Sequence, residues 1–345
     1  MRRTRRHAVM TGIALAVVVG TFLFVLPRIA DYDAVWEVVR ELEPIWIVVL
    51  LGAMLFNVLT YAPPWMLALP GLRFRQALPF TQASTALTYV APGGGIVGMA
   101  GSFGLLRSWG FPSDAVARAV TITGVWNQLA NLLLPVAAVF MLTAEAESGT
   151  VLTTLAIVGS SIFAVAVSLL TLALWSVRLA RELGEAVAAA ANRVLGLARR
   201  GPVGWGGESF ARFRNQTVAL ILRRWWLLTL AAIVGNLAVF VMLLLAIRAV
   251  GIGAGELTWI EVFAGWSVAR VIQLVPLTPG GLGPVEIGLT SVLVAFGGGN
   301  AEVVAAALVY RFLTIVPTLL LGLLTIAAWR RLAPDGKGQE IAPER

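Results

Sequence analysis

Two stretches of this chain, residues 44–69 and 151–176, each run for 26 positions without a charged side chain. The hydrocarbon core of a bilayer is about 30 Å thick, and a helix needs about 20 apolar residues to cross it. Runs of this length suit spanning helices and exceed the strands of a membrane barrel. The rest of the chain agrees: 59% of its 345 residues are apolar and 13% are charged, against about 25% charged in a soluble domain. Such a chain cannot cover itself with a polar surface, so lipid must be its solvent. The expected fold class is all-α, a polytopic integral membrane protein forming a single membrane domain over 1–345.

What is missing constrains the chemistry. There are no cysteines, which excludes disulfides, thiolate metal sites and cysteine nucleophiles. The one histidine, His7, lies in a basic N-terminal tail, so a His-based metal cluster and a Ser-His-Asp triad are excluded too. No cofactor and no enzymatic activity are expected. The net charge of +8 would suggest nucleic acid in a soluble protein. Here arginines and lysines gathered on cytoplasmic segments explain it, and no nucleic-acid partner is expected. The N-terminal MRRTRRH and the apolar run from about Val9 to Leu26 resemble a signal peptide. The run is long for one and has no clear small-x-small cleavage site, so it reads as an uncleaved first span.

Six spans are expected, at about 9–26, 44–69, 115–142, 151–176, 225–248 and 300–329. Two further apolar segments are broken. Residues 78–108 are interrupted at Pro92-Gly93-Gly94-Gly95, and residues 259–297 at Pro279-Gly280-Gly281. The arms of the first are about 14 residues each, short for a crossing. The Arg-rich segment 177–224 reads as a solvated cytoplasmic element associated with the lipid surface, and 332–345 as a cytoplasmic tail.

A gapless shift of 187 positions carries Pro92, Gly93, Gly94, Gly101 and Gly110 onto Pro279, Gly280, Gly281, Gly288 and Gly297. In all it produces eleven identities over 43 positions. The leucine and alanine matches are cheap in apolar sequence. The five proline and glycine matches mark backbone events at fixed spacing. They imply an internal duplication, with repeat 1 over 9–142 and repeat 2 over 151–329.

Charge orients the copies. With a cytoplasmic N-terminus and each broken segment returning to the side it entered from, the inner segments carry 21 basic and 7 acidic residues. The outer segments carry 3 basic and 10 acidic. If each broken segment crossed once, the Arg-rich 177–224 would become external, against the positive-inside rule. Charge alone does not separate a re-entrant hairpin from two short crossings; the short arms favour the hairpin. Three crossings then lie between the two breaks, which therefore enter from opposite sides. The result is an inverted repeat with two re-entrant hairpins, a transporter architecture, in the cell (cytoplasmic) membrane with both termini cytoplasmic.

Arg270, Glu286 and Arg311 are the charges left at membrane depth. Such charges are costly, and they pair or mark a pathway. Two readings are open. The arginines bind a lipid phosphate, with Glu286 orienting one of them, receiving a cationic head group or carrying a proton; or the three form a buried ion pair that sets hairpin register. The positions matching them in repeat 1 are Ala83, Met99 and Gly124, so the cluster is asymmetric. The breaks at Gly93-Gly94 and Pro279-Gly280-Gly281 create helix N-termini that favour anions, or they serve tight packing through small residues. Asn127 and Asn131, four residues apart on one helix face with Gln128 beside them, line a path or bond between helices. Asn57 and Asn236 carry a weaker signal.

The segment LTPGGLGPVEIGL, followed in the last span by YRFLTIVPTLLLG, resembles the flippase-like family of lysylphosphatidylglycerol synthase transmembrane regions. The resemblance covers about 10–330. It rests most specifically on Pro279-Gly280-Gly281 with Gly283 and Glu286, together with Arg270 and Arg311, and it implies substrate-binding roles for them. In full-length relatives this region is joined to a cytoplasmic aminoacyl-transferase that takes lysine from lysyl-tRNA, and it moves the product lipid to the outer leaflet. No transferase is expected in these 345 residues. The resemblance thus implies translocation of a membrane phospholipid or polyprenyl-linked lipid between leaflets, by a chain that is compatible with a homo-oligomer. Two alternatives remain: a membrane-embedded enzyme on a lipid-linked substrate with Glu286 as general base, for which no nucleophile partner or metal cluster is present, and a transporter of a small soluble solute.

Overall fold

A computed structural model describes residues 40–90, 94–145, 150–197, 206–274, 281 and 283–332. The expected first span, Pro92, Gly93, Pro279, Gly280 and the tail beyond 332 lie outside the described residues. The elements are α1 (Pro44–Thr60), α2 (Ala62–Ala68), α3 (Phe74–Val90), α4 (Gly94–Ser108), α5 (Ser113–Glu145) and α6 (Thr150–Trp175). They continue with α7 (Val177–Leu197), α8 (Gly207–Ala249), α9 (Trp259–Leu274), α10 (Pro284–Ala295) and α11 (Asn300–Leu332). There is no strand among the described residues.

Among the described residues four stretches are long and apolar enough to cross a bilayer: Pro44–Ala68, Ser113–Ala144, Gly207–Ala249 and Asn300–Ala328. Helix α6 adds 26 uncharged residues and exposes Ile157, Ile162, Val165, Leu169 and Leu172, as a lipid-facing surface does. The chain is a multi-pass helical membrane protein. Helix α1 opens with proline at its first position, where a missing N–H is harmless. It gives way at Tyr61, ahead of Pro63-Pro64, to α2.

Helix α8 departs from the expected span boundary. Its 43 residues make a rod about 65 Å long at 1.5 Å per residue, about twice the hydrocarbon thickness. The span begins at Gly207 and not near 225, because no proline or glycine interrupts residues 208–234 and arginine is a good helix former. Helix α7 packs along its first half. Arg181 pairs with Glu208 at 2.7 Å, and Gly184 leaves room for the Phe210 ring. Most of the basic segment is therefore helical, with α7 packed against the first turns of α8.

Helices α3, α4, α9 and α10 hold 17, 15, 16 and 12 residues. At 1.5 Å per residue none exceeds about 26 Å, short of the core thickness. They form two antiparallel pairs. In the first, Ser84 meets Ser102, and Gly98 and Gly101 face Thr88 and Leu87. In the second, Gly265 faces Leu293 and Gly288 faces Ile272. Each pair then packs against a long helix of the other half of the chain, α3 on α11 and α9 on α5. The largest core centres on Trp266, Leu243, Ile247 and Leu289, the second on Phe80, Leu106, Phe111 and Ile122. Arginines close loose helix ends: Arg248 donates to the carbonyls of Ile252, Gly253 and Leu257 at 2.9, 3.0 and 2.7 Å, supplying partners the helix terminus lacks.

Candidate functional site

Helix α10 starts at Pro284, directly after Gly283, whose φ of 95° lies in the left-handed region that L side chains resist. The Gly283 N–H donates to Glu286 Oε2 at 2.6 Å. The other carboxylate oxygen accepts from Arg311 Nε on α11. Both side chains are buried, Glu286 at 9% and Arg311 at 7% exposure. One carboxylate thus caps a helix start and ties it to a second helix. Replacing Gly283 with alanine forces a side chain into the left-handed region and is expected to cost about 1–2 kcal/mol. A drop in thermal unfolding midpoint for Gly283→Ala checks it; an unchanged midpoint would contradict the described backbone.

Arg270 on α9 makes a different unit. Its guanidinium lies over Trp266, one turn earlier, at 5.6 Å from the ring centroid, within cation–π range. Nη1 donates to Gln273 Oε1 at 3.0 Å, and Nη2 donates to Asn131 Oδ1 on α5 at 2.9 Å and Asn236 Oδ1 on α8 at 2.8 Å. The amides are pre-turned. Asn236 Nδ2 donates to the Ala232 carbonyl at 2.9 Å, and Asn131 Nδ2 to Gln128 Oε1 at 3.2 Å, so their oxygens face the arginine. No carboxylate pairs with Arg270 among the described residues. Its Nε is buried without a hydrogen-bond partner, as is Ser267 Oγ.

Tyrosines complete this cluster of polar groups. Tyr61, between α1 and α2, and Tyr310, on α11, both lie within Coulombic reach of Arg270 and of Tyr89 on α3. Asn57 Oδ1 and the Trp266 indole N–H lie near the hydroxyls of Tyr61 and Tyr310 without a hydrogen bond of normal geometry. Two of the chain's four tyrosines therefore lie close to one partly buried cation, with Tyr89 near both of them.

The family model for the lysylphosphatidylglycerol synthase TM region matches residues 10–322. The chain belongs to this family. No curated protein matches it. In this family of membrane proteins acting on lipids, the region matched here holds all three membrane-depth charges.

The structure divides those charges. Glu286 and Arg311 bond to each other, while Arg270 sits apart among neutral groups; Tyr310 feels both arginines. Asn131 is drawn in, but Asn127 is exposed and outside the cluster. The two share a face but stand about 6 Å apart along α5, so packing reaches one and not the other. Gly281, at φ 70°, turns the chain toward α10. Gly94 starts α4 where a Cβ would strike the Thr88 carbonyl, a close-packing role. Sequence reasoning missed Tyr61, Tyr89, Tyr310, Trp266 and Gln273 and undervalued Asn57 and Asn236. A signal did exist: aromatic residues with polar tips gather at membrane interfaces, and Tyr310 falls ten residues inside a span. Among the described residues no group of three or more acidic or imidazole side chains could hold a metal ion.

Proposed function

We propose that this protein moves a phosphate-bearing lipid between the leaflets of the cell membrane and catalyses no covalent step. The observation that carries this reading is Arg270, a guanidinium at membrane depth held by amides from three helices, with Nε unbonded and no carboxylate partner among the described residues. Such a charge is expensive in lipid and persists where it serves a ligand or pathway, and arginine suits phosphate. Glu286 is a poor general base, because Arg311 and the Gly283 N–H already occupy its oxygens.

An apolar groove of about 190 Å³ between α1 and α8, lined by Ala53, Phe56, Val234, Leu237, Ala238 and Val241, supports a lipid cargo. The same two helices send Asn57 and Asn236 inward. A head group inside and acyl chains outside would straddle these helices.

The inverted repeat is part of this proposal. The 187-residue shift carries Ser113 and Glu145, the ends of α5, onto Asn300 and Leu332, the ends of α11, and Ser108, the end of α4, onto Ala295, the end of α10. It also exchanges the α3–α11 seam with the α9–α5 seam. Two hairpins entering from opposite sides, six spans and cytoplasmic termini then give two equivalent seams that open in turn toward either leaflet.

Reconstitution in liposomes tests the function through leaflet exchange of labelled phosphatidylglycerol, aminoacylated lipid and polyprenyl phosphate. Arg270→Gln is expected to slow exchange about tenfold or more, since a hydrogen bond to a charged group is worth about 1.5–3 kcal/mol. If the unaltered protein exchanges none of these lipids, the proposal fails.

A further inference from the structure

The polar groups around Arg270 also carry a statement about which head group they accept, resting on the reading of them as the cargo site. Their charge is one-sided. The charged side chains that act on the Tyr61 and Tyr310 hydroxyls are Arg270 and Arg311, both positive. The groups that touch Arg270 are neutral: Gln273, Asn131, Asn236 and the Trp266 ring. The acid of the cluster, Glu286, is spent on Arg311 and the Gly283 N–H. An anionic phosphate entering here meets a cation, tyrosine hydroxyls and the unbonded N–H at Arg270 Nε. An ammonium entering here meets a like charge in a low-dielectric surround, with no free carboxylate among the described residues to receive it.

The geometry points to a site that selects lipids whose head group carries phosphate and hydroxyls but no amine, and that rejects lysyl- and ethanolamine-bearing lipids. Phosphatidylglycerol and a polyprenyl phosphate both fit this chemistry. The apolar α1–α8 groove, on the two helices that carry Asn57 and Asn236, favours the lipid over free inorganic phosphate as the source of the anion.

Binding in detergent reads this selectivity without requiring movement across a membrane. The purified full-length protein is titrated with phosphatidylglycerol, a polyprenyl phosphate, lysylphosphatidylglycerol, phosphatidylethanolamine and inorganic phosphate, and bound lipid is counted by native mass spectrometry. The two amine-free lipids are expected to bind at least about tenfold tighter than the two amine-bearing lipids, and inorganic phosphate not to compete at comparable concentration. Arg270→Gln should reduce them to the level of the amine lipids.

Asn236→Asp guards against misfolding as an explanation. It keeps the side-chain shape and places a carboxylate at the oxygen position 2.8 Å from Arg270 Nη2, cancelling the charge without removing the arginine. This variant should lose the preference for amine-free lipids and gain lysylphosphatidylglycerol. Equal or tighter binding of lysylphosphatidylglycerol by the unaltered protein would overturn the inference, as would an unchanged pattern in both variants. Effective competition by inorganic phosphate would overturn the lipid source. Selective binding without leaflet exchange would sink the translocation proposal and leave this one standing. Fastest exchange of lysylphosphatidylglycerol would do the reverse.

Discussion

Arg311→Ala is expected to destabilise the protein by about 3–5 kcal/mol, because it strands a buried carboxylate. Glu286 and Arg311 are both nearly inaccessible, so water cannot replace the lost partner. The loss spreads, since the same carboxylate holds the Gly283 N–H at the start of α10. Thermal unfolding in detergent checks the single variant. The decisive comparison is the double replacement Glu286→Leu with Arg311→Met. Exchanging a whole buried pair for apolar side chains of similar size is often neutral or stabilising, so the double variant should recover most of the lost stability. It should also retain Arg270-dependent lipid exchange. A single variant that melts with the unaltered protein would remove the pair's role as the joint between α10 and α11. Loss of exchange in a stably folded double variant would move the pair from scaffold to transport pathway.

Gly322→Leu is expected to separate α3 from α11. A Cβ at this position would lie 2.5 Å from Ala86 Cβ, 2.9 Å from the Gln82 carbonyl oxygen and 3.4 Å from Ala83 Cα. Two of these three are backbone atoms of α3, so the clash is relieved only by shifting the helix. Overpacking costs about 1–3 kcal/mol where side chains can adjust, and more is expected here. The seam is also the most extensive helix contact among the described residues. Gly52→Leu is the matched control, because nothing lies within 4 Å of its added Cβ and the new side chain would face lipid. The monodisperse fraction by size exclusion and the unfolding midpoint should fall sharply for Gly322→Leu and hold for Gly52→Leu. Equal behaviour of the two would contradict the close approach of the helices.

Much of the architecture was legible because it rests on local properties. Uncharged runs predicted α1 and α6, and Pro92-Gly93-Gly94 and Pro279-Gly280-Gly281 predicted breaks that bracket α3 with α4 and α9 with α10. The start of α8 was not legible. A span was expected to end where charge begins, but helix propagation is indifferent to the membrane boundary when no residue breaks it. Asn127 and Asn131 illustrate the finer limit. Spacing alone put them together, and packing buried one and exposed the other.

The three membrane-depth charges that drew attention at the start behave the same way. That Arg270, Glu286 and Arg311 are out of place in lipid was decided by the sequence alone, through the cost of charge in an apolar medium. Which of them neutralise each other was decided by tertiary structure. Arg270 finds Asn131 across 139 positions and Asn236 across 34, and its tyrosines come from three further parts of the chain. No local pattern encodes such a meeting, because it depends on how helices far apart in sequence are packed side by side.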